Sequence, residues 1–164
     1  MKRAAKETNL TQETLLALVR RIVKEAQALK DKHTTGQKDA PVNYACIFSK
    51  DQDEYAALIE VVSTMGPQVD STQMGPIFDI GGIETSAGRL RVLKVRLPDQ
   101  KRPERGDADF TVSNYPEFKR TYLTQPGFGL LTRPNFEMIE LADPDFDALA
   151  YFSYPPLDEQ LGLK

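Results

Sequence analysis

From Pro41 onward the chain reads the same way twice, and a repeated unit of this kind leaves few folds open to it. The first unit opens on an apolar strand, Val42 to Phe48, passes Ser49 and an acidic helix start, and continues as a helix through Tyr55, Leu58, Ile59 and Val62. Gly66-Pro67 stops that helix. Three strands are then predicted, around Val69, at Ile77 to Ile80, and at Leu90 to Leu97, where Pro98 ends the unit. The second unit opens at Asp107 to Val112, followed by Ser113 and a helix through Phe118, Tyr122 and Leu123. Asn114 and Glu117 form a capping pair at its start, and Pro126-Gly127 is its stop. Three more strands fall near Leu130-Leu131, at Phe136 to Leu141 and at Leu149 to Phe152, ended by Pro155-Pro156. Matched landmarks keep nearly constant offsets: Ser49 and Ser113 lie 64 residues apart, Gly66 and Gly127 61, Pro98 and Pro155 57. Any α+β chain could supply strand, helix and strands twice; the shared serine, acidic helix start, glycine stop and terminal proline favour duplication.

Ahead of the repeat, residues 10–30 carry Leu15, Leu18, Val19, Ile22, Val23, Ala26 and Leu29 at three- and four-residue steps, the stripe of an amphipathic helix. Asn9 and Gln12 resemble a capping pair at its start. The stretch His33 to Pro41 has the Thr, Gly, Asp and Pro content of a linker. So apolar a stripe must be covered, by the sheet of its own chain or by the same helix of a second copy, which would make a homodimer.

The expected organisation is therefore a helix and linker over 1–40, a first module over 41–105, and a second module with a C-terminal tail over 106–164. The fold class is α+β, with both modules contributing to one curved, mostly antiparallel sheet. A composition of 40% hydrophobic and 27% charged residues suits a globular chain, and no apolar run approaches the ~20 residues of a membrane span. Cys46 is the only cysteine and no secretory leader is evident, so a cytoplasmic location is the simplest expectation.

Charge comes in blocks. Residues 1–40 hold nine Lys/Arg against five Asp/Glu, 41–88 one against seven, 89–105 seven against two, and 106–164 four against ten. Two acidic blocks would repel phosphate, which argues against nucleic acid as a partner. The compact basic segment contains Arg89, Arg91, Lys94 and Arg96, interleaved with Leu90, Val92, Leu93, Val95 and Leu97. Alternation slips at Val92-Leu93, so a regular strand sends Arg89 and Arg91 to one face and Lys94 and Arg96 to the other, whereas a bulge unites them. Guanidinium and ammonium groups at this density suit an anionic small molecule or an acidic protein partner; the alternative is a solvated face balancing the chain's own acidic blocks.

Glu137 and Glu140 are the candidate acid–base residues. A separation of three on one strand puts them on opposite faces, so one points inward. Cys46 with His33 is a weak candidate for nucleophile and base, since a cysteine between Ala45 and Ile47 reads as a small buried residue. Asp143-Pro144-Asp145-Phe146-Asp147 alternates carboxylates as a calcium loop does, but Ala148 and Tyr154 stand where such a loop needs Gly and Glu, so it reads as a hairpin turn.

Two strand–helix–three-strand modules of this size resemble the vicinal oxygen chelate superfamily, which includes glyoxalases and bleomycin-resistance proteins. The likeness spans residues 42–155. Gly106-Asp107-Ala108-Asp109-Phe110-Thr111-Val112 is similar to the family's opening strand, and Glu140-Leu141-Ala142-Asp143-Pro144-Asp145 to its late strand and hairpin. The resemblance implies a cleft between paired modules where His, Gln and Glu hold a divalent metal. Placed on that pattern, Tyr44 and Asp107 occupy the first-strand ligand positions and Ala150 the last-strand glutamate position. Tyr44 and Ala150 are poor ligands for a divalent ion, so no metal and no cofactor are expected. No nucleophile, ligand triad or phosphate loop can be assembled. Two functions follow: a binding or interaction protein that uses the sheet cleft or the basic segment, and, as the alternative, a metal-independent enzyme of lyase or isomerase type acting on a small anionic metabolite.

Overall fold

The computed structural model describes residues 10–163. Asn9 lies outside the described residues; the first helix, α1 (Gln12–His33), is capped instead by Thr11, whose hydroxyl accepts from the Thr14 amide while the Thr14 hydroxyl accepts from the Thr11 amide. The first module runs β1 (Val42–Phe48), α2 (Gln52–Val62), β2 (Gln68–Thr72), β3 (Gly75–Thr85) and β4 (Gly88–Arg96). The second runs β5 (Gly106–Phe110), α3 (Tyr115–Tyr122), β6 (Phe128–Thr132), β7 (Glu137–Leu141) and β8 (Ala148–Tyr154), and a short helix α4 (Leu157–Gln160) follows it.

All eight strands form one sheet in the order β2-β3-β4-β1-β5-β8-β7-β6. Read from either end, that order visits equivalent strands of the two modules. Each module closes on a parallel pair, β1 with β4 and β5 with β8, and the modules meet where β1 and β5 pair antiparallel. The remaining pairs are antiparallel, so the sheet is mostly antiparallel, as the α+β reading of the sequence requires.

One face of the sheet carries the main core. Ala45, Ile47, Leu90, Leu93, Ala108, Phe110, Ala150 and Phe152 point there, under the three long helices. The α1 stripe of Leu15, Val19, Ile22, Val23, Ala26 and Leu29 is buried, and the helix packs on β8, β5 and β1, bridging both modules. At roughly 1.5–3 kcal/mol for each large aliphatic side chain removed from water, this contact is a main support of the fold. It also uses up the stripe that a homodimer through α1 would have needed. Gly106 makes the close approach possible: a Cβ there would collide with the Cys46 carbonyl and with the Ile22 side chain of α1. The far end of α1 is anchored by Lys32 and His33, both bonded to Asp143 of the β7–β8 turn, at 3.0 and 2.8 Å. That turn is closed by the Asp143 side chain and backbone accepting from the Asp145 and Phe146 amides. Among the described residues no helix is long and apolar enough to cross a membrane.

Candidate functional site

The opposite face of the sheet is open and holds the site. Strand alternation sends Tyr44, Cys46 and Phe48 of β1 to this face, with Asp107 and Asp109 of β5 and Leu149 and Tyr151 of β8 beside them. Registers run in rows across the seam between the modules: Lys94, Cys46, Asp107 and Leu149 form one row, and Tyr44, Asp109, Tyr151 and Glu140 the next. A cavity of about 650 Å³ sits over these rows, a size that suits a small organic ligand. Its polar lining includes Tyr44, Lys94, Arg96, Arg102, Asp107 and Tyr151; its apolar lining includes Ile77, Leu131, Met138, Leu157 and Leu161.

Two buried polar atoms here lack hydrogen-bond partners, and a half-buried ammonium group beside them makes no bond among the described residues. The Asp107 side chain is 6% exposed, accepts no hydrogen bond from any described residue, and its Oδ1 is fully buried. The Nε of Arg96 is likewise buried and unsatisfied, although its Nη2 reaches Asp99 at 3.2 Å and its guanidinium lies 5.0 Å above the Phe48 ring. Lys94 makes no hydrogen bond or ion pair among the described residues, though it shares a row with Asp107, Cys46 standing between them. Buried polar groups are nearly always paired, and an orphan costs about 1–3 kcal/mol, so two such atoms beside one cavity, with an unpaired ammonium next to them, single this face out. Desolvation is the main cause that pushes the Asp107 carboxyl up to about 8, with Asp109 and Glu140 adding to it against the opposing pull of Lys94 and Arg96. Asp109 is satisfied instead: the Ser153 amide and hydroxyl and the Asn43 amide donate to it, which limits the upward push of burial to about 6. Burial raises the phenols of Tyr44 and Tyr151, so both remain protonated hydroxyls.

The basic segment divides. Lys94 and Arg96 line the cavity, whereas Arg89 and Arg91 do not. Arg91 makes a bidentate pair with Asp79 of β3 at 2.9 and 2.8 Å, holding that carboxyl below its usual range, and Arg89 donates to the Gly81 carbonyl. The partner strand is irregular beside them: between Asp79 and Ile83 the register shifts through Gly81 and Gly82, both in the left-handed region. Val92 faces the cleft while its neighbour Leu93 faces the helices.

Glu137 and Glu140 stand on opposite faces of β7. Glu137 is on the helix side, held low by Lys119 at 2.9 Å and by the Tyr115 hydroxyl at 2.8 Å. Glu140 is on the cleft side, where the Tyr151 hydroxyl donates to it at 2.6 Å and Arg102 at 3.2 Å. Cys46 lies in the cleft floor with its thiol pushed up by burial, while His33 is across the sheet against Asp143, so the two do not meet.

One placement needs correcting. Ala150, expected at the metal-ligand position of the last strand, faces the helix layer and is fully buried there. The cleft-facing residue next to it is Tyr151, opposite Asp109. The family's metal position would then be lined by Tyr44, Asp107 and Tyr151, and among the described residues no three His, Cys, Asp or Glu side chains gather as a divalent ion needs. The donor set does not fit such a metal.

Arg102, a cation of the basic segment, Asp109 of the opening-strand motif, Tyr151 and the leucines of the C-terminal segment line the cavity, a placement the sequence does not assign to them. Arg102 lies in the link between modules after Pro98, where no periodicity locates a side chain. The alternation Asp107-Ala108-Asp109, with a small residue facing the core, was the available signal that two carboxylates share a face.

No family model and no curated protein matches the chain. Two solved structures do. The structural-genomics structure named protein EC4020 is similar over 92% of this chain and 91% of its own, with a TM-score of 0.69 at 10% identity. Methylmalonyl-CoA epimerase from Mycobacterium tuberculosis overlaps 74% of this chain and 93% of its own, with a TM-score of 0.42 at 14% identity, too low to support an inference. At such identities the likeness of the first structure establishes the fold and nothing further.

Proposed function

We propose that this protein is a metal-independent variant of the vicinal oxygen chelate architecture whose open sheet face binds a small organic molecule through its carboxylate. The observation that carries this reading is the Lys94 ammonium, unpaired among the described residues, beside the buried and unsatisfied Arg96 Nε at the wall of a cavity of about 650 Å³. A guanidinium edge and an ammonium group present matched donors to the two oxygens of a carboxylate. The apolar lining takes the rest of the molecule. Arg89 and Arg91, already answered within β3, serve the fold instead.

A thermal-shift screen of small carboxylates tests the reading, because a ligand that binds only the folded state raises the melting temperature. Carboxylates should stabilise the native protein, and Lys94→Met with Arg96→Met should abolish the shift without unfolding the chain. Equal shifts in native protein and double variant would remove the reading.

The enzyme alternative is favoured by one feature. Asp107, more than Glu137 or Glu140, can take up and return a proton near neutral pH, being unpaired and facing the cavity. Incubating a bound carboxylate with the protein in D2O distinguishes the two: deuterium appearing at the carbon beside the carboxylate means proton transfer, and its absence means binding alone.

A further inference from the structure

The cavity presents a cation and a buried acid, each without a partner among the described residues. Lys94 and Asp107 lie on one row of the sheet with Cys46 between them, so their Cα atoms are two strand spacings apart, roughly 10 Å. They face the same cavity yet form no ion pair, and each lacks any other partner among the described residues. A ligand that carried only a carboxylate would answer Lys94 and Arg96 and leave the 94% buried Asp107 carboxyl as it is. A ligand with a carboxylate and an ammonium group on adjacent atoms answers all three.

We propose that the cleft recognises a zwitterionic α-amino acid with an apolar side chain, its carboxylate held by Lys94 and Arg96 and its ammonium group by Asp107. This deepens the carboxylate reading above and rests on it. The side chain would lie against Leu131, Met138, Leu157 and Leu161 of the cavity lining and against Ile77, which neighbours Lys94 on the charged row. Asp107 is the acceptor of choice because its neighbour Asp109 is already engaged by Ser153 and Asn43, and Glu140 by Tyr151 and Arg102.

Binding an ammonium group requires the ionised form of Asp107, which sets a proton signature. The groups facing it are Lys94 and Arg96 from β4, Tyr44 and Cys46 from β1, and Asp109 on its own strand. From the other side come Tyr151 of β8, with Glu140 of β7 and its partner Arg102 behind it; Asp158 of α4 acts on Asp109. Burial raises the carboxyls of Asp107 and Asp109 toward neutrality, and Asp109 is hydrogen-bonded to Ser153 and Asn43. An arriving ammonium group should therefore expel a proton from Asp107, and affinity should rise from pH 6 to pH 8.

The test is isothermal titration calorimetry with leucine and phenylalanine, each against its des-amino analogue, 4-methylpentanoate and 3-phenylpropionate. The amino acids should bind about tenfold more tightly than their analogues, or better, as expected for a charge-assisted hydrogen bond to a buried carboxylate. Repeating the titration near neutral pH in phosphate and in Tris should reveal proton release on binding the amino acids. Asp107→Asn should erase the preference for the amino group while keeping carboxylate binding. Analogues that bind as well as the amino acids, or a proton taken up where release is expected, would overturn the amino-acid assignment and leave the carboxylate reading standing. If neither class binds, both fall. Should Asp107→Asn fail to fold, the proton count on the native protein decides alone.

Discussion

Replacing Asp107 by Asn should stabilise the protein at neutral pH, and the gain should depend on pH in a defined way. The carboxyl is 6% exposed and raised from 3.8 to about 8, chiefly by desolvation. A carboxyl raised in the folded state holds its proton where the unfolded chain has lost it, so this group's contribution to stability is greatest below pH 4 and declines as pH climbs toward 8. At 1.36 kcal/mol per pH unit, the decline from the unfolded value to pH 7 is on the order of 4 kcal/mol for this group. Asparagine keeps the shape and a hydrogen-bond donor but cannot ionise. Urea unfolding of both proteins at pH 4, 5, 6, 7 and 8 therefore should give nearly equal stabilities at pH 4 and a difference that widens to several kcal/mol by pH 7. Asp109, raised to about 6, leaves both proteins a shared slope at lower pH, which cancels in the difference. Parallel stability curves, or a variant weaker than the native protein at pH 7, would refute the account of Asp107 as a buried, unpaired acid. With the expected widening, the residue proposed to hold a ligand is one that lowers the stability of the empty protein, a common trade at binding sites.

Other expectations follow from the packing. Leu29→Ala in α1 should lower unfolding free energy by about 2–5 kcal/mol in urea, since the side chain is wholly buried against the sheet. Gly106→Ala should be worse than an ordinary glycine substitution, because the new methyl meets both the Cys46 carbonyl and Ile22, and a large drop in melting temperature is the expected reading. Arg91→Ala should change stability little, its pair with Asp79 being partly exposed, and should leave carboxylate binding by calorimetry unchanged, in contrast to Lys94→Met.

Much of the architecture was legible because its punctuation is chemical. Gly66-Pro67 and Pro126-Gly127 cannot continue a helix, Pro98 and Pro155 follow strand ends, and the stripe from Leu15 to Leu29 has one buried side. What could not be read was the facing of single residues. Ala150 and Tyr151 differ by one position, and one position in a strand exchanges the core for the cleft. Arg91 and Arg96 look alike in the sequence, but the glycine-built irregularity at Gly81-Gly82 lies on the neighbouring strand, and Asp79, which takes Arg91 out of play, is twelve residues away. The orphan state of Asp107 is a property of what does not approach it, and no local pattern encodes that.

The central claim is that the open sheet face at the seam between the modules takes up a carboxylate. Chemical-shift mapping of isotopically labelled protein, titrated with phenylalanine, measures this most directly. Perturbations should concentrate on the row of Lys94, Cys46 and Asp107 and on Tyr44, Tyr151 and Leu161, with Ala45, Ile47 and Phe110 of the helix side little affected. Perturbations centred on Arg89 and Arg91, on α1, or nowhere at all would contradict it.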